Sequence, residues 1–248
     1  MDQFSRTELL IGKDGLKKLQ KSAVTVIGLG AVGSYCVEAL VRAGVGKITL
    51  VDFDIIRPSN INRHIWAFTS TLDQPKAELA KARVLDINPK VKAQALKIFI
   101  DRETIQPLLA DKPDIVVDAI DSLNPKAELL ESCWKAGQPV ISSMGAATRT
   151  DPLSIRVGDL MDTTVCPLAK RIRKMLRDRG VGQGITCVYS TQVQDMLEVT
   201  AEAEREEGEF ARGRQRRRLG SLSTVTGMFG LVLAHTVLGK LLGGRWEK

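Results

Sequence analysis

Aromatic side chains are scarce in this chain. Phe, Trp and Tyr make up 4% of its 248 residues, against 44% hydrophobic residues in all, so the core is expected to be aliphatic, built from Val, Ile, Leu and Ala. No C-x-x-C pair occurs either: Cys36, Cys133, Cys166 and Cys187 stand far apart. That spacing argues against a four-cysteine zinc site, and no zinc is expected. The opening MDQFSRTELLIG lacks a basic-then-apolar signal pattern. Reduced thiols and a cytoplasmic location are therefore expected. No internal repeat is visible.

There is one long apolar run, residues 221–244, about the length of a bilayer span. It is interrupted by Gly227, Gly230 and Gly239 and carries His235 and Lys240. The preferred reading is a buried helix packed on a sheet or on a second subunit; membrane attachment is the alternative. The net charge of +7 and pI near 9.3 favour a polyanionic partner, though only weakly.

The most informative residues are VTVIGLGAVG at 24–33 and LVDFDIIRPSNINRH at 50–64. The first is a buried strand entering a G-x-G-x-x-G turn, formed by Gly28, Gly30 and Gly33. The first glycine permits the tight turn, the second a close approach of backbone to phosphate, and the third helix–sheet packing. A helix starting near Ala31 would aim its N–H groups and dipole at an anion. Asp52, nineteen residues beyond Gly33, ends the second strand where an acid suits ribose hydroxyls. The glycine turn alone indicates a nucleotide phosphate. The continuation through Asp52, Asp54 and SNINRH points to ATP held for chemistry at its α-phosphate.

Strands are expected at 24–28, 47–52, 92–99, 115–118 and 139–144. Helices are expected at 32–43, 76–88, 102–110 and 126–136, with a glycine-interrupted helix at 4–19. This alternation implies an α/β fold: a Rossmann-like, doubly wound, mainly parallel sheet with helices on both faces. Residues 1–149 form the ATP-binding half. Residues 150–248 would form a smaller C-terminal α/β portion facing the substrate. In it, a strand is expected over TDPLSIRVG at 150–158 and a basic helix at 167–179. A charged stretch at 194–218 reads as solvated helix or loop.

An adenylating site brings two anions together, so cations must offset their repulsion. Arg63 offers a forked donor and Lys76 a compact charge. Asp121, in the DAIDS segment with Ser122, is the candidate Mg²⁺ ligand. Ser59, Asn60 and Asn62 can reach ribose or phosphate. His64 reads as a positioning or packing histidine rather than a base.

RTELLIG, GLGAVGSYCVEALVRAGVGKITLVDFD, SNINRH, QPKAELAKARVLDINP and DAIDS together resemble the ubiquitin-activating-enzyme-like superfamily, which includes the ThiF family. FSRTELLIG, SSMGAATRTDP and ITCVYST are similar to its branch of tRNA threonylcarbamoyladenosine dehydratases. The resemblance implies Gly28, Gly30, Gly33 and Asp52 on the nucleotide, Ser59 to Arg63 and Lys76 on ribose and phosphates, and Asp121 on Mg²⁺. It implies that Arg6 enters the ATP site of a neighbouring subunit, and hence a homodimer. It also implies ATP-dependent dehydration of threonylcarbamoyladenosine in tRNA, with the side-chain carboxylate activated and the modification's own nitrogen or oxygen closing a ring.

Lys170, Arg171, Arg173, Lys174 and Arg177, with Arg214, Arg216 and Arg217, would suit tRNA phosphates. Cys187 matches the branch's context, with burial preferred over a nucleophilic role. A sulfur-relay protein is a further partner to consider. The competing readings are an activator of a ubiquitin-like sulfur carrier, an NAD-dependent oxidoreductase and a non-catalytic tRNA-binding protein. The first is weakened by the missing C-x-x-C pairs. The second leaves SNINRH, Lys76 and Asp121 unexplained.

Overall fold

The structure is a computed structural model that describes residues 2–193 and 219–246. Among the described residues, seven strands form one sheet: β1 (Ala23–Ile27), β2 (Lys47–Val51), β3 (Lys92–Leu96), β4 (Ile115–Asp118), β5 (Val140–Ser143), β6 (Ile155–Asp159) and β7 (Thr186–Ser190). Their order is β3-β2-β1-β4-β5-β7-β6. All neighbours pair parallel except β6, which runs antiparallel to β7. The expected doubly wound sheet is present, and its last two strands come from the C-terminal part of the chain.

The helices that cover it are α1 (Ser5–Lys21), α2 (Gly33–Ala43), α3 (Lys76–Ile87), α4 (Arg102–Ala110), α5 (Leu123–Lys135), α6 (Pro167–Arg177) and α7 (Ser223–Leu242). Strand periodicity sorts the core into two layers. In β4, Ile115 and Val117 join the cluster under α2, α3 and α7, while Val116 joins the one under α4, α5 and α6. In β5, Ile141 and Val140 divide the same way. Strands buried on both faces read as continuous apolar runs, which is why VTVI, ITLV and IVV were legible.

Element boundaries moved where local chemistry intervened. α5 begins at Leu123, three residues before the expected start, because Pro125 sits in the first turn, where its missing N–H costs nothing. β6 begins only at Ile155, since 152–154 form a 3-10 turn led by Pro152. β7 was not expected: its five residues are short, with turn-forming Gly184 before them. α1 is kinked at Gly12 (φ 79°, ψ 165°).

The apolar run is α7, long and apolar enough to cross a membrane by length and composition. Here it lies against α2, α1 and the sheet, with Val225, Phe229, Leu233, Ala234 and Val237 buried. Gly230 makes this approach feasible: a Cβ there would stand 2.4 Å from the Val32 carbonyl oxygen. α7 therefore braces the N-terminal end of α2, the end that faces the glycine turn.

Candidate active site

In an open α/β sheet the ligand crevice lies at the carboxyl ends of the strands, where the strand order reverses. Here that is between β1 and β4. Gly28 follows β1 with φ 89°, and its N–H donates to the Val51 carbonyl at 2.9 Å, tying the turn to the end of β2. A Cβ on Gly28 would lie 2.6 Å from the Ala119 carbonyl oxygen, just past β4. A Cβ on Gly33 would lie 1.8 Å from the Gly28 carbonyl oxygen. These two glycines are demanded by the chain itself. Gly30 is different. Among the described residues, a Cβ there would meet only the His64 ring, at an ordinary 3.6 Å, so the chain itself leaves room for a side chain at this position. Ala31 lies in the same turn, half-buried.

Asp52 supports the turn from the neighbouring strand end. Its Oδ2 accepts from the Leu29 N–H at 2.7 Å and its Oδ1 from the Asp54 N–H at 2.9 Å. Burial pushes this carboxyl up, while the Lys76 charge and the two N–H groups pull it down. Lys76 opens α3 and is buried; its Nζ donates to Asp54 Oδ2 at 2.6 Å, and its N–H donates to the Asp54 carbonyl at 3.0 Å. Asp52, Asp54 and Lys76 thus form one connected group beside the glycine turn.

The SNINRH loop folds over this edge. Asn60 is buried; its side-chain oxygen accepts from the Arg57 N–H at 3.1 Å and its carbonyl accepts from the Arg63 and His64 N–H groups. Asn60 therefore shapes the loop. Asn62 is exposed, and its amide donates to the Ser221 carbonyl at 3.1 Å. Arg63 is half-buried and donates from Nη1 to the Ser59 carbonyl and to Asn62 Oδ1. His64 is buried beside Gly30, and its Nδ1 has no hydrogen-bond partner among the described residues. Burial, then the Lys76 and Arg63 charges, push its imidazole down to about 2. It is neutral at working pH, as suits a packing residue.

Past β4 the DAIDS segment opens on a cluster whose other members, Lys126 and Ser142, the sequence did not single out. Asp118 is fully buried. Its Oδ2 accepts from Lys126 Nζ and from Ser142 Oγ, each at 2.6 Å, and its Oδ1 accepts from the Ile120 N–H at 3.0 Å. Lys126 is also fully buried. The pair fixes the start of DAIDS against β5. The signal available was a lysine eight residues past a strand-terminal aspartate, too unspecific to stand out. Asp121 is exposed at this edge, and Ser122 Oγ donates to it at 3.4 Å. Ser122 occupies the N-cap position of α5 but makes no capping bond.

Other named residues lie elsewhere. Arg6 is exposed near the start of α1. Its neighbour Phe4 packs by Gly44, at the C-terminal end of α2. The eleven residues of α2 span roughly 16 Å, so Arg6 sits at the opposite edge from this chain's own glycine turn. On α6, Lys170, Arg171, Lys174 and Arg177 form an exposed stripe opposite buried Ala169, Ile172 and Leu176. Arg173 departs from that expectation: it is half-buried and donates to Thr163 Oγ1. Cys187 is in mid-sheet on β7, where burial pushes its thiol up to about 12. It packs as a neutral group. Arg214, Arg216 and Arg217 lie outside the described residues.

A further residue of the loop after β5, Arg149, was not singled out in the sequence. It is buried, with two guanidinium nitrogens unpartnered among the described residues.

The model of the ThiF family matches residues 4–247. The chain belongs to the ThiF family. A tRNA threonylcarbamoyladenosine dehydratase of Bacillus subtilis is 45% identical over 192 residues, covering 77% of this chain and 76% of that protein. The Escherichia coli dehydratase of the same name is 33% identical over 255 residues, covering 97% and 93%. The crystal structure of the E. coli tRNA N6-threonylcarbamoyladenosine dehydratase in complex with ATP superposes with a TM-score of 0.86 at 31% identity, covering 97% of this chain and 93% of that one. The resemblance read from the motifs holds for this ThiF-family chain well beyond residue 149.

The site's donor set suits a triphosphate. It combines a helix N-terminus, two cations and a carboxylate at ribose distance in sequence. No group of three or more His, Cys, Asp or Glu able to hold a metal exists among the described residues. Mg²⁺ bound through a nucleotide needs only one or two protein carboxylates, its other ligands being phosphate oxygens and water. A single exposed Asp121 fits that requirement.

Proposed function

We propose that this ThiF-family protein uses ATP to dehydrate threonylcarbamoyladenosine in tRNA. One observation carries the reading: the glycine turn, the Asp52–Asp54–Lys76 group and the Arg63 loop meet at the β1/β4 switch point, in a chain similar to tRNA threonylcarbamoyladenosine dehydratases over 97% of its length.

In the proposed reaction an oxygen of the substrate carboxylate attacks the α-phosphorus of ATP. The bond from that phosphorus to the bridging oxygen breaks and pyrophosphate leaves. The modification's own nitrogen or oxygen then attacks the acyl carbon, loses its proton and releases AMP. The AMP carries one former carboxylate oxygen, so the base has lost one water. Lys76 and Arg63 stabilise negative charge where the two anions meet. The N-terminus of α2 receives phosphate and Asp52 the ribose. Asp121 would hold Mg²⁺, which when bound neutralises phosphate charge. The attacking group is part of the substrate, so the protein's contribution is positioning and electrostatics.

Because Arg6 lies far from its own turn, we propose a homodimer in which it serves the neighbouring site. The exposed Leu9 and Leu10 on the same helix suit such a contact. The stripe of Lys170, Arg171, Lys174 and Arg177 is proposed to meet tRNA phosphates. A cytoplasmic location is proposed with it. The test is mass spectrometry of tRNA nucleosides after incubation with protein, ATP and Mg²⁺. The modified adenosine should lose one water only when ATP is present; an unchanged nucleoside rejects the proposal.

A further inference from the structure

Arg149 lies on the loop that leaves β5, at the same edge of the sheet as the glycine turn. It is 2% exposed. Its Nη1 donates to the Gln192 carbonyl, on the loop that leaves β7. Its Nε and Nη2 are buried and have no hydrogen-bond partner among the described residues. The N–H bonds of these two nitrogens point the same way. They make up the edge of the guanidinium fork that grips both oxygens of a carboxylate. The same molecule has that edge in use: Arg83 donates from Nε and Nη2 to the two oxygens of Glu38, each at 3.0 Å. Arg149 presents the identical edge to no acceptor among the described residues. Burying charged donors without partners is costly, so a fold that holds them there points to a ligand.

The arginine is held in place. Gln192 Oε1 accepts from the N–H groups of Thr150 and Asp151, each at 3.0 Å, just beyond it in the chain. On its other side, Thr148 donates its N–H to the Gly220 carbonyl at 2.8 Å. The next residue, Ser221, accepts from Asn62 of the SNINRH loop. Residues 220–221 therefore strap the Arg149 loop to the loop that carries Arg63. The open edge belongs to the neighbourhood of the proposed nucleotide site. Its burial selects among anions: an RNA backbone phosphate stays on the outside of the polymer, whereas a small acid group on an extruded base can enter a pocket.

We propose that Arg149 holds the carboxylate of the modified base through Nε and Nη2, fixing the acid group for attack on the nucleotide and reading its presence. This rests on the dehydratase function proposed above. The arginine would offset the repulsion between carboxylate and triphosphate, and would distinguish modified from unmodified RNA.

The test measures binding of the full chain to threonylcarbamoylated tRNA and to the same tRNA without the group, for wild type, Arg149→Gln and Arg149→Lys. The lysine keeps the charge but lacks the fork. Both variants should lose about ten- to a hundredfold in affinity for the modified RNA, bind unmodified RNA like wild type and keep wild-type ATP affinity. Undiminished discrimination in the variants overturns the proposal. An equal loss on both RNAs overturns it too, since the arginine would then meet phosphate, as does a loss confined to ATP. A measurement on wild type alone guards against misfolded variants: the free modified nucleoside should bind and its carboxamide analogue should not, and equal binding overturns the proposal. If wild type also produces no dehydrated nucleoside, the function itself fails; dehydration with Arg149-independent binding rejects only the role of Arg149.

Discussion

Replacing Lys126 with methionine removes the cation paired with a fully buried carboxylate. Asp118 would keep Ser142 Oγ at 2.6 Å and the Ile120 N–H at 3.0 Å but lose Lys126 Nζ at 2.6 Å. Removing one partner of a buried pair costs about 3–5 kcal/mol. The Ser142 and Ile120 hydrogen bonds to Asp118 survive, so the lower part of that range applies, about 3–4 kcal/mol. For a chain of this size each kcal/mol moves the melting temperature by roughly 2–4 °C, giving a drop of about 6–16 °C. Adding Asp118→Asn removes the stranded charge while retaining acceptor capacity for Ser142, so the double variant should recover most of the loss. Thermal melting of both variants and wild type in parallel is the assay. If Lys126→Met melts within about 2 °C of wild type, or if the double variant is no more stable than the single one, the account of this pair as a necessary clamp on the end of β4 is wrong.

Gly33→Ala should disrupt the turn, because its new methyl would overlap the Gly28 carbonyl, 1.8 Å away. Gly30→Ala should melt like wild type and weaken ATP by roughly tenfold, about 1.4 kcal/mol, as read by calorimetric titration; unchanged affinity would remove Gly30 from the phosphate path. Lys76→Ala should lower kcat by roughly 10²–10³-fold, and a loss confined to KM would assign it to ground-state binding instead. His64 is lowered from 6.5 to about 2 in the folded chain, so the unfolded chain takes up the proton first as pH falls. Its stabilising contribution is complete above about pH 6.5 and declines toward pH 2, by about 2–3 kcal/mol between pH 6.5 and 4.5. His64→Gln should flatten that slope in denaturant titrations, and parallel slopes would contradict the burial argument. Substituting Lys170, Arg171, Lys174 and Arg177 with alanine should reduce the salt dependence of tRNA binding by roughly 0.7–0.9 in logarithmic slope for each phosphate no longer neutralised; an unchanged slope would exclude this face of α6.

The nucleotide half was legible because local chemistry dictates it. Gly28 and Gly33 are required by clashes within the turn itself, and VTVI and ITLV are buried on both faces. Lys76 was identifiable from its place at the first turn of a helix. Its partner Asp54 was visible only as part of DFD, since a bond across twenty-two residues has no local signature. The Asp118–Lys126–Ser142 cluster depends on β4 lying beside β5, and the setting of Arg149 on β5 lying beside β7. That adjacency is set by a long excursion through β6 and α6, which periodicity does not predict. Arg173 looked like its neighbours in a basic run, but helical spacing turns it toward Thr163 and away from the exposed stripe. For Cys187, the surrounding ITCVYS was informative about family and silent about the strand that buries it.

The central claim is that the substrate's acid group attacks the α-phosphorus of ATP. It is tested most directly by preparing threonylcarbamoylated tRNA with heavy oxygen in the carboxylate and following the label through one turnover. The account predicts that one of the two labelled oxygens leaves in AMP and the other stays in the cyclised base. Label recovered in inorganic phosphate or in free water would contradict it.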